Sequence, residues 1–241
     1  MKKPKKSLGQ NFLIDQNINK KIINQTNIKN ENIVEIGPGY GSLTDHIISK
    51  KPKKLIMIEK DLHLYNLLKI KYKDKKNIYI INIDALKYDF SKLNKIIIIS
   101  NLPYNISTKI IMKLIFYNKN ITKIICMIQK ELAIKFDYNK IKMNKYKFLI
   151  KLCSDYKILF DVGNKVFYPR PKVNSNVVEF TLKNIKIDQN KLLNFVNKIF
   201  LNKRKNIRNK INNNLNIDEK ILRKRVEELN FDELLEIYKF T

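Results

Sequence analysis

The stretch NIVEIGPGYG (residues 32–41) has the pattern of a buried strand that runs directly into a glycine-rich turn. Residues 42–50, which follow, have the pattern of a helix. A strand, a glycine turn and a helix in this order are typical of a nucleotide-type cofactor site at the carboxyl end of a parallel sheet. Glycines in such a turn let the backbone approach a ligand closely. The stretch therefore predicts an α/β domain that binds a cofactor.

Carboxylates end the next two predicted strands. Residues 55–58 lead into Glu59, which could accept hydrogen bonds from two ribose hydroxyls, and residues 78–83 lead into Asp84 and Ala85. Asp84 could bind an adenine amino group. Either carboxylate alone could be a solvated charge at a strand end. Together beside the glycine turn they indicate a nucleoside site.

The glycine turn differs from the dinucleotide fingerprint. Its spacing is Gly37, Gly39, Gly41, with no glycine or alanine three positions after Gly39 and no basic residue to bind a pyrophosphate. Glu35 makes the predicted pocket acidic. An acidic pocket favours a ligand with positive charge over a diphosphate, and S-adenosyl-L-methionine, with its sulfonium and adenosine, fits this requirement.

A polar and aromatic tetrapeptide follows the apolar strand 96–100. The Asn101 side-chain oxygen and the neighbouring Leu102 carbonyl could accept both hydrogens of an exocyclic base amine. Pro103 restricts the backbone, and the Tyr104 ring could stack on a flipped-out base. An Asn-x-Pro sequence after a strand is by itself more often a plain turn. Its position after the cofactor strands favours a catalytic role.

Lysine and arginine outnumber aspartate and glutamate by 49 to 22, which gives a formal charge of +27. Such a charge favours a polyanionic partner. The abundance of Lys, Asn and Ile is also what an A/T-rich coding sequence produces, so part of the excess has no functional meaning. The local concentration of charge is more informative than the total.

Basic residues are concentrated in one predicted helix, residues 203–214, and in a short amino-terminal arm. The helix is predicted to grip phosphates, and a solvated basic face is the alternative. The predicted RNA-binding residues are Lys203, Arg204, Lys205 and Arg208. Arg204 and Arg208 are predicted to lie on one face of this helix, and Lys203 and Lys210 on another. The arm contains Lys2, Lys3, Lys5 and Lys6.

Several classes of protein are not indicated. The chain has no run of 18 uncharged apolar residues and no apolar segment after its basic amino terminus, so we expect neither a membrane span nor a secretory signal. Cys126 and Cys153 have no partners at metal-ligand spacing and are predicted to be free buried thiols, as in a reducing compartment. We expect no metal site, no catalytic role for His46 or His63, and a cytoplasmic protein.

The strand and helix pattern divides the chain at residue 183. Predicted strands at 32–36, 55–58, 78–83, 96–100 and 124–128 alternate with helices, which indicates a parallel, doubly wound sheet. A leading helix is predicted at 16–26, and later strands at 156–160 and 176–182. From residue 184 the predicted elements are helices, at 188–202, 203–214, 218–229 and 231–239. The prediction is a main domain (1–183) and a small all-α domain (184–241).

The motifs, taken in order, resemble those of the small-subunit ribosomal RNA adenine dimethyltransferase family. The resemblance runs from about residue 7 to about residue 212 and its strength lies in the joint order of the motifs. The matching segments are Leu8–Leu13, Glu35–Gly39, Glu59, Asp84-Ala85, Asn101–Ser107, Gln129-Lys130-Glu131, Phe167–Val173 and Arg204–Asn209.

The resemblance implies a class I (Rossmann-like) methyltransferase: a seven-stranded sheet with an antiparallel last strand and a small C-terminal all-α domain. It adds Asn11, Leu13 and Asn101 to the S-adenosylmethionine site and places Phe167 opposite Tyr104 in the base pocket. The implied reaction is N6,N6-dimethylation of two adjacent adenosines in the 3′-terminal hairpin of small-subunit rRNA. The implied partner is a small-subunit precursor, and we expect a monomer.

One segment departs from the family. Residues 132–148 are rich in Lys and Asn and contain Lys145-Tyr146-Lys147-Phe148 where the family has a small-residue loop with a glycine. This segment borders the RNA side of the pocket in the family, so its altered character affects the expected substrate contacts.

Three alternatives to this function remain. A large-subunit rRNA adenine methylase of the macrolide-resistance type shares most motifs, but Pro38, Leu102 and the Gln129–Glu131 triplet disfavour it. A non-catalytic ribosome-assembly or nucleic-acid-binding factor is disfavoured by the intact cofactor motifs. A DNA adenine methylase is disfavoured because no target-recognition domain is evident.

Overall fold

The structure is a computed structural model that describes residues 4–5, 8–139, 142–186, 188–202, 204–211 and 217–240. Of the predicted RNA-binding residues, Lys203 lies outside the described residues, as do Lys2, Lys3 and Lys6 of the basic arm.

Strands and helices alternate through the first two thirds of the described chain. The strands are β1 (Phe12–Leu13), β2 (Asn32–Ile36), β3 (Lys54–Glu59), β4 (Ile78–Asn82), β5 (Ile96–Asn101), β6 (Ile121–Gln129), β7 (Ser154–Val162), β8 (Phe167–Tyr168) and β9 (Ser175–Leu182). The helices are α1 (Gln16–Ile23), α2 (Ser42–Ser49), α3 (Leu62–Lys71), α4 (Ser107–Leu114), α5 (Lys130–Phe136), α6 (Lys145–Cys153), α7 (Gln189–Phe200), α8 (Glu219–Arg223) and α9 (Phe231–Phe240).

Seven of these strands form one sheet in the order β4-β3-β2-β5-β6-β9-β7. The pairs from β4 through β6 are parallel, whereas β9 is antiparallel to both β6 and β7. This is the predicted α/β class I methyltransferase sheet, including its antiparallel last strand. The two short strands β1 and β8 pair separately and join the amino-terminal segment to the loop before β9.

The central strands are apolar because helices cover both faces of the sheet. Residues 96–100 of β5 are all buried, and residues 124–128 of β6 are buried as well. A continuous apolar run is the pattern expected for a parallel strand covered on both faces. The edge strand β4 is only partly buried, and two of its residues, Tyr79 and Asn82, are exposed.

Polar side chains set the starts of several helices. Asp15 and Asp61 precede α1 and α3, and each side chain accepts hydrogen bonds from two backbone amides of the first turn. Asn144 does the same for α6. Such caps satisfy amides that have no partner within the helix. The cap at Asp61 also fixes the chain that leaves β3, where Glu59 lies.

The predicted helix 203–214 is wrong. The described part of this segment contains a turn, an isolated β-bridge between Asn206 and Arg225, and a single 3-10 turn at Ile207–Asn209. The backbone amide of Ile207 donates to the carbonyl of Lys224 at 2.9 Å. This contact with a later segment replaces the hydrogen bonds that a helix would need.

Two other helix predictions need correction. The predicted helix 218–229 is divided into α8 and a 3-10 turn at Val226–Glu228. The leading helix ends at Ile23 and not at Thr26.

The segment 132–148, which departs from the family, overlaps the end of α5 and the start of α6. Within it, Phe148 is fully buried and the Lys147 ammonium donates to the Lys142 carbonyl at 2.8 Å.

The C-terminal helices and the sheet share one hydrophobic core. On one face of the sheet, buried residues of β5, β6, α4 and α6 are in contact with those of α7, α8 and α9. The Phe148 ring lies 5.9 Å from the Phe195 ring and 5.6 Å from the Phe231 ring, measured between centroids. The division at residue 183 stays a prediction. The other face of the sheet forms a second cluster with α1, α2 and α3.

Cys126 and Cys153 are buried and form no disulfide, as predicted. None of the helices in the described ranges is long and apolar enough to cross a membrane.

Candidate functional site

A cavity of about 400 Å³ opens at the carboxyl ends of the parallel strands. It brings together every residue predicted for the cofactor, and also the tetrapeptide after β5. These lining residues are Asn11, Leu13, Gly37, Gly39, Glu59, Asp84, Ala85, Asn101, Leu102, Pro103 and Tyr104. Phe167 is not among the described residues that line it.

The glycine turn forms the floor of this cavity. The Gly37 amide donates to the Ile58 carbonyl at 2.9 Å, which ties the turn to β3. Gly39 has φ +60°, and a Cβ built on it would lie 2.9 Å from the Phe12 ring. The left-handed conformation and the lack of space both favour glycine at this position. The turn therefore holds its backbone against the amino-terminal motif and leaves the cavity open.

Glu59 is the central carboxylate of the predicted ribose site. Its two oxygens accept from the backbone amides of Gly39 at 3.3 Å and Asp61 at 2.8 Å. The residue is 6% exposed, and burial raises the pKa of its carboxyl to about 7. The carboxyl is thus oriented by the glycine turn and titrates near neutral pH.

A second buried carboxyl, Glu35, lies at the end of β2. The Thr44 hydroxyl is 2.6 Å from Glu35 Oε2, and burial raises the pKa of Glu35 to about 8. Glu35 is therefore largely protonated at neutral pH in the free protein. The acidic character predicted for the pocket depends on ionisation of this group.

Asp84, at the end of the β4 segment, is held by two partners. Lys60 Nζ lies 2.8 Å from Asp84 Oδ2, and the Leu86 amide donates to Oδ1 at 2.9 Å. The Lys60 ammonium holds the pKa of Asp84 below its usual range. Asp84 is therefore ionised and held in a fixed position at the cavity.

The loop after Asp84 is braced by a lysine of α4. The Lys113 ammonium donates to the carbonyls of Ala85, Leu86 and Tyr88 at 3.2, 2.8 and 2.5 Å. All three of its donors are directed at backbone of this loop. Lys113 therefore fixes the backbone that presents Asp84 and Ala85.

The amino-terminal motif is tied across the same cavity. Lys5 Nζ lies 2.8 Å from Asp61 Oδ2, and the Lys5 amide donates to Gln10 Oε1 at 2.7 Å. Although burial works the other way, the Lys5 ammonium and the backbone amides of His63 and Leu64 lower the pKa of Asp61 below its usual range. The segment before β1 is thus linked to the residue that caps α3.

Asn101 points into the cavity with one half of its amide engaged. Its Nδ2 donates to the Asn11 carbonyl at 3.0 Å. Its Oδ1 is buried and has no hydrogen-bond partner within the described part of the chain. Buried polar atoms are rarely left without a partner. An acceptor held in this state is suited to a donor supplied by a ligand.

The two predicted base-pocket aromatics are in contact with each other. The Tyr104 and Phe167 centroids are 6.3 Å apart with an interplanar angle of 71°, and Phe167 is only 3% exposed. In this conformation Phe167 does not offer a flat face opposite Tyr104. The adjacent Tyr168, 50% exposed, is the accessible ring of that loop. The role of Phe167 stays a prediction.

The basic C-terminal residues do not share a helix face. Arg204 and Lys205 are exposed, whereas Arg208 forms an ion pair with Glu219. Lys210 is buried, and its ammonium donates to the Ile199 carbonyl at 2.7 Å. The prediction that Arg204 and Arg208 project from one helix face is therefore wrong. Their role in RNA binding stays a prediction.

Three side chains near the cavity have positions that the sequence pattern did not single out: Thr44, Lys113 and Ser175. Thr44 lies three residues after the glycine turn, where a hydroxyl can reach back to the end of β2. Ser175 follows the Phe167–Val173 motif closely. Lys113 resembles other helix lysines of this lysine-rich chain, so no local signal marked it.

The chain is similar in sequence to known proteins over nearly its whole length. The family described as ribosomal RNA adenine dimethylase matches residues 1–240. A ribosomal RNA small subunit methyltransferase A from Malacoplasma penetrans is 43% identical over 213 residues, which cover 86% of this chain and 78% of that protein. The protein of the same name from a Hydrogenobaculum species is 35% identical over 241 residues, covering 99% and 93% of the two chains.

Solved structures share the fold. A dimethyladenosine transferase from Plasmodium falciparum superposes with a TM-score of 0.78 at 24% identity, covering 94% of this chain and 95% of that one. The 23S rRNA methyltransferase ErmE superposes with a TM-score of 0.75 at 18% identity, covering 95% and 98%. At these identities the likeness establishes the fold alone.

Proposed function

The chain belongs to the ribosomal RNA adenine dimethylase family, and from this premise we propose that it transfers methyl groups from S-adenosylmethionine to adenine N6 in small-subunit rRNA. We propose further that two transfers occur on each of two adjacent adenosines in the 3′-terminal hairpin. Relatives that are 35–43% identical carry the name of a small-subunit rRNA methyltransferase, which supports the choice of subunit.

The cavity suits S-adenosylmethionine. Glu59 would accept from the ribose hydroxyls, and Asp84 would accept from the adenine amino group. The open backbone of Gly37 and Gly39 leaves room for the rest of the molecule. When bound, the cofactor supplies an electrophilic methyl group on its sulfonium.

The free Asn101 oxygen is the observation that carries the proposed reaction. Adenine N6 is a poor nucleophile because its lone pair is delocalised into the ring. The buried Asn101 Oδ1 would accept one N6 hydrogen, and the Leu102 carbonyl would accept the other. Two acceptors placed in this way favour a pyramidal nitrogen with a localised lone pair. The protein thus acts mainly by orientation and electrostatics.

Proton transfer needs no strong base in this scheme. The attacked amine becomes acidic once it carries the new methyl group, so it can lose its proton to water. Tyr104, at the rim of the same cavity, would stack on the extruded adenine and hold it in place. The basic surface would hold the surrounding RNA through phosphates.

The test is the replacement of Asn101. Asn101→Ala is expected to lower the single-turnover rate of methyl transfer to undermethylated small-subunit particles by about 100-fold, as for loss of an oxyanion-type contact. Cofactor affinity should fall much less than the rate, since Glu59 and Asp84 remain. Mapping the methylated adenosines by primer extension identifies the positions and the subunit.

Asn77→Ala is the matched control. Asn77 also donates from Nδ2 to a carbonyl, that of Pro52, but it precedes the amino end of β4, whereas the cavity lies at the carboxyl ends of the strands. The Asn77→Ala variant should keep the wild-type rate. A wild-type protein that binds small-subunit particles tightly yet transfers no methyl group to them would contradict the enzyme proposal and favour an assembly factor. Methylation confined to large-subunit rRNA would contradict the choice of subunit.

A further inference from the structure

Tyr104 is held at its phenolic end by a serine that lies 71 residues further along the chain. The Tyr104 hydroxyl and Ser175 Oγ are 2.5 Å apart. Ser175 is the first residue of β9 and is fully buried. It pairs with Gln129 of β6 on one side and with Val162 of β7 on the other. The serine is therefore fixed by the sheet on both sides.

Tyr104 itself lies in an irregular turn between β5 and α4. Rotation about its two side-chain bonds would let the ring adopt several orientations. Burial raises the pKa of the Tyr104 phenol, so the hydroxyl keeps its proton and can donate to Ser175. The Phe167 ring meets Tyr104 edge-on and limits its movement on one side. The hydroxyl contact with Ser175 fixes the remaining end of the ring.

We propose that Ser175 is a positioning residue for the methylation reaction: it fixes the direction in which the Tyr104 ring projects, so that the ring lies where it can receive the extruded adenine. This inference rests on the proposed function, in which Tyr104 stacks on that base. Stacking requires the ring and the base to be parallel and in contact. The hydroxyl oxygen lies on the axis about which the ring rotates, so an anchor at this atom fixes the direction of that axis. The edge contact with Phe167 limits rotation of the ring plane about the axis.

The expected consequence of losing this anchor is a smaller fraction of enzyme with the ring in the stacking orientation. The apparent stability of the captured base falls by the same fraction. Tyr104 and Ser175 carry no positive charge, so phosphate contacts that hold the RNA are expected to be independent of them. Capture of the base and the transfer rate should therefore fall, whereas affinity for the particle and for the cofactor should not.

A double-mutant cycle tests the proposal with Ser175→Ala, Tyr104→Phe and the combination of both. The readout is the single-turnover rate of methyl transfer at saturating small-subunit particle. Each single change is expected to lower the rate about five-fold, in line with the loss of one net hydrogen bond. The combination should be no slower than either single variant, because both remove the same contact. Losses that multiply in the double variant, or a Ser175→Ala rate equal to wild type, would overturn the proposal.

A second readout reports the base directly. An RNA hairpin with 2-aminopurine in place of the target adenosine changes its fluorescence when that base leaves the helix and stacks on an aromatic ring. Ser175→Ala and Tyr104→Phe should both reduce the change seen with wild-type protein by a similar factor. An undiminished signal in both variants would contradict a positioning role.

Ser154→Ala is the matched control. Ser154 is also fully buried and is the first residue of β7, but its hydroxyl donates to the Ile150 carbonyl at 3.0 Å. This variant should keep the wild-type rate, and all variants should keep cofactor affinity by calorimetry. If Ser175→Ala does not fold, Tyr104→Phe decides alone, and a wild-type rate in that variant overturns the proposal.

Different results would overturn the proposed methyltransferase function and the positioning role of Ser175. Wild-type protein that methylates no small-subunit particle would overturn the proposed function and this inference with it. Wild-type protein that methylates the particle, together with independent effects at Tyr104 and Ser175, would overturn only the positioning role.

Discussion

At the scale of single residues, the site is notable for buried carboxyls that titrate near neutral pH. Burial raises the pKa of Glu59 to about 7 and that of Glu35 to about 8, while Lys60 keeps Asp84 ionised. The two raised groups end neighbouring parallel strands and face the same cavity. Binding of a cofactor that donates hydrogen bonds or carries positive charge should therefore be coupled to proton release.

The affinity for S-adenosylmethionine is predicted to fall as the pH falls through about 7. Ribose hydroxyls donate to an ionised Glu59, and the protonated carboxyl is a poorer acceptor, so affinity should fall by up to about ten-fold per pH unit below the pKa. Calorimetric titration of wild type between pH 6 and pH 8.5 measures this slope.

Two variants assign the slope to its group. Glu59→Gln should bind weakly at pH 8 and lose the step near pH 7, whereas Glu35→Gln should keep that step. A Glu59→Gln protein with an unchanged pH dependence would contradict the assignment. The folding stability of the cofactor-free protein depends on pH in the opposite direction. Because the pKa of Glu59 is raised from 4.5 to about 7, the protonated carboxyl contributes stability that is fully present below pH 4.5 and is lost as the pH rises through about 7.

At the scale of elements, the turn after β2 and the segment after α7 show two different ways in which backbone is specified. The turn needs glycines, because Gly37, Gly39 and Gly41 all have positive φ. The segment after α7 has helical periodicity, yet its described residues adopt turns that pack against the region of α8. Local backbone conformation determines the glycine turn after β2, whereas tertiary contacts determine the structure of the segment after α7.

Gly39→Ala is predicted to weaken cofactor binding and to destabilise the protein by about 1–2 kcal/mol, the cost of a left-handed conformation for a residue with a Cβ. The added methyl would also meet the Phe12 ring at 2.9 Å, which should displace β1 from the cavity. Gly163→Ala is the control, because Gly163 has no positive φ and a Cβ there meets nothing within 4 Å. Equal effects of the two changes on calorimetric cofactor binding would contradict this account.

The exposed basic residues after α7 are predicted to bind RNA phosphates. Arg204→Ala with Lys205→Ala should lower affinity for small-subunit particles and reduce the slope of log K against log salt by about one to two units, for two lost contacts. Arg208 is engaged with Glu219, so Arg208→Ala should have a smaller effect on the slope. Filter binding across a salt series measures these slopes.

Lys73→Ala with Lys75→Ala is the matched charge control. Both lysines are exposed in the connection between α3 and β4. This connection leads into the amino end of β4, on the side of the sheet opposite the cavity. This control should leave the slope unchanged. A slope that changes equally in both double variants would show that total charge, and not the C-terminal segment, determines RNA affinity.

At the scale of the whole molecule, the helices after residue 184 complete the core of the sheet. Aromatic rings of α6, α7 and α9 contact one another, and the fully buried Phe148 contacts both Phe195 and Phe231. Two separately stable units would require two separate cores. The shared core instead couples the C-terminal helices to the fold that carries the active site.

The protein is predicted to unfold in a single thermal transition. Phe148→Ala should destabilise it by about 3–5 kcal/mol, the usual cost of a large cavity in a core, without dividing the transition. Differential scanning calorimetry of wild type and variant tests this prediction. Two transitions in the wild-type protein would contradict it and support an independent domain beginning near residue 184.

What the sequence determined by itself is the order of the strands along the chain and the identity of the cavity residues. Apolar runs such as 96–100 identify buried parallel strands, and the carboxyl ends of successive strands meet at one edge of the sheet. A polar residue placed directly after such a run, as Asn101 or Glu59 is, must therefore lie at the site. This geometry follows from local pattern and general topology.

Only the tertiary structure decided which groups are engaged and how they titrate. The contact of Tyr104 with Ser175, the ion pair of Arg208 with Glu219 and the raised pKa of Glu59 depend on partners or burial contributed by distant parts of the chain. The same holds for the described part of the segment 203–214, where a hydrogen bond from Ile207 to Lys224 replaced the predicted helix. Periodicity indicates the face that a residue prefers to bury, but it carries no information on the partner that meets that face after folding.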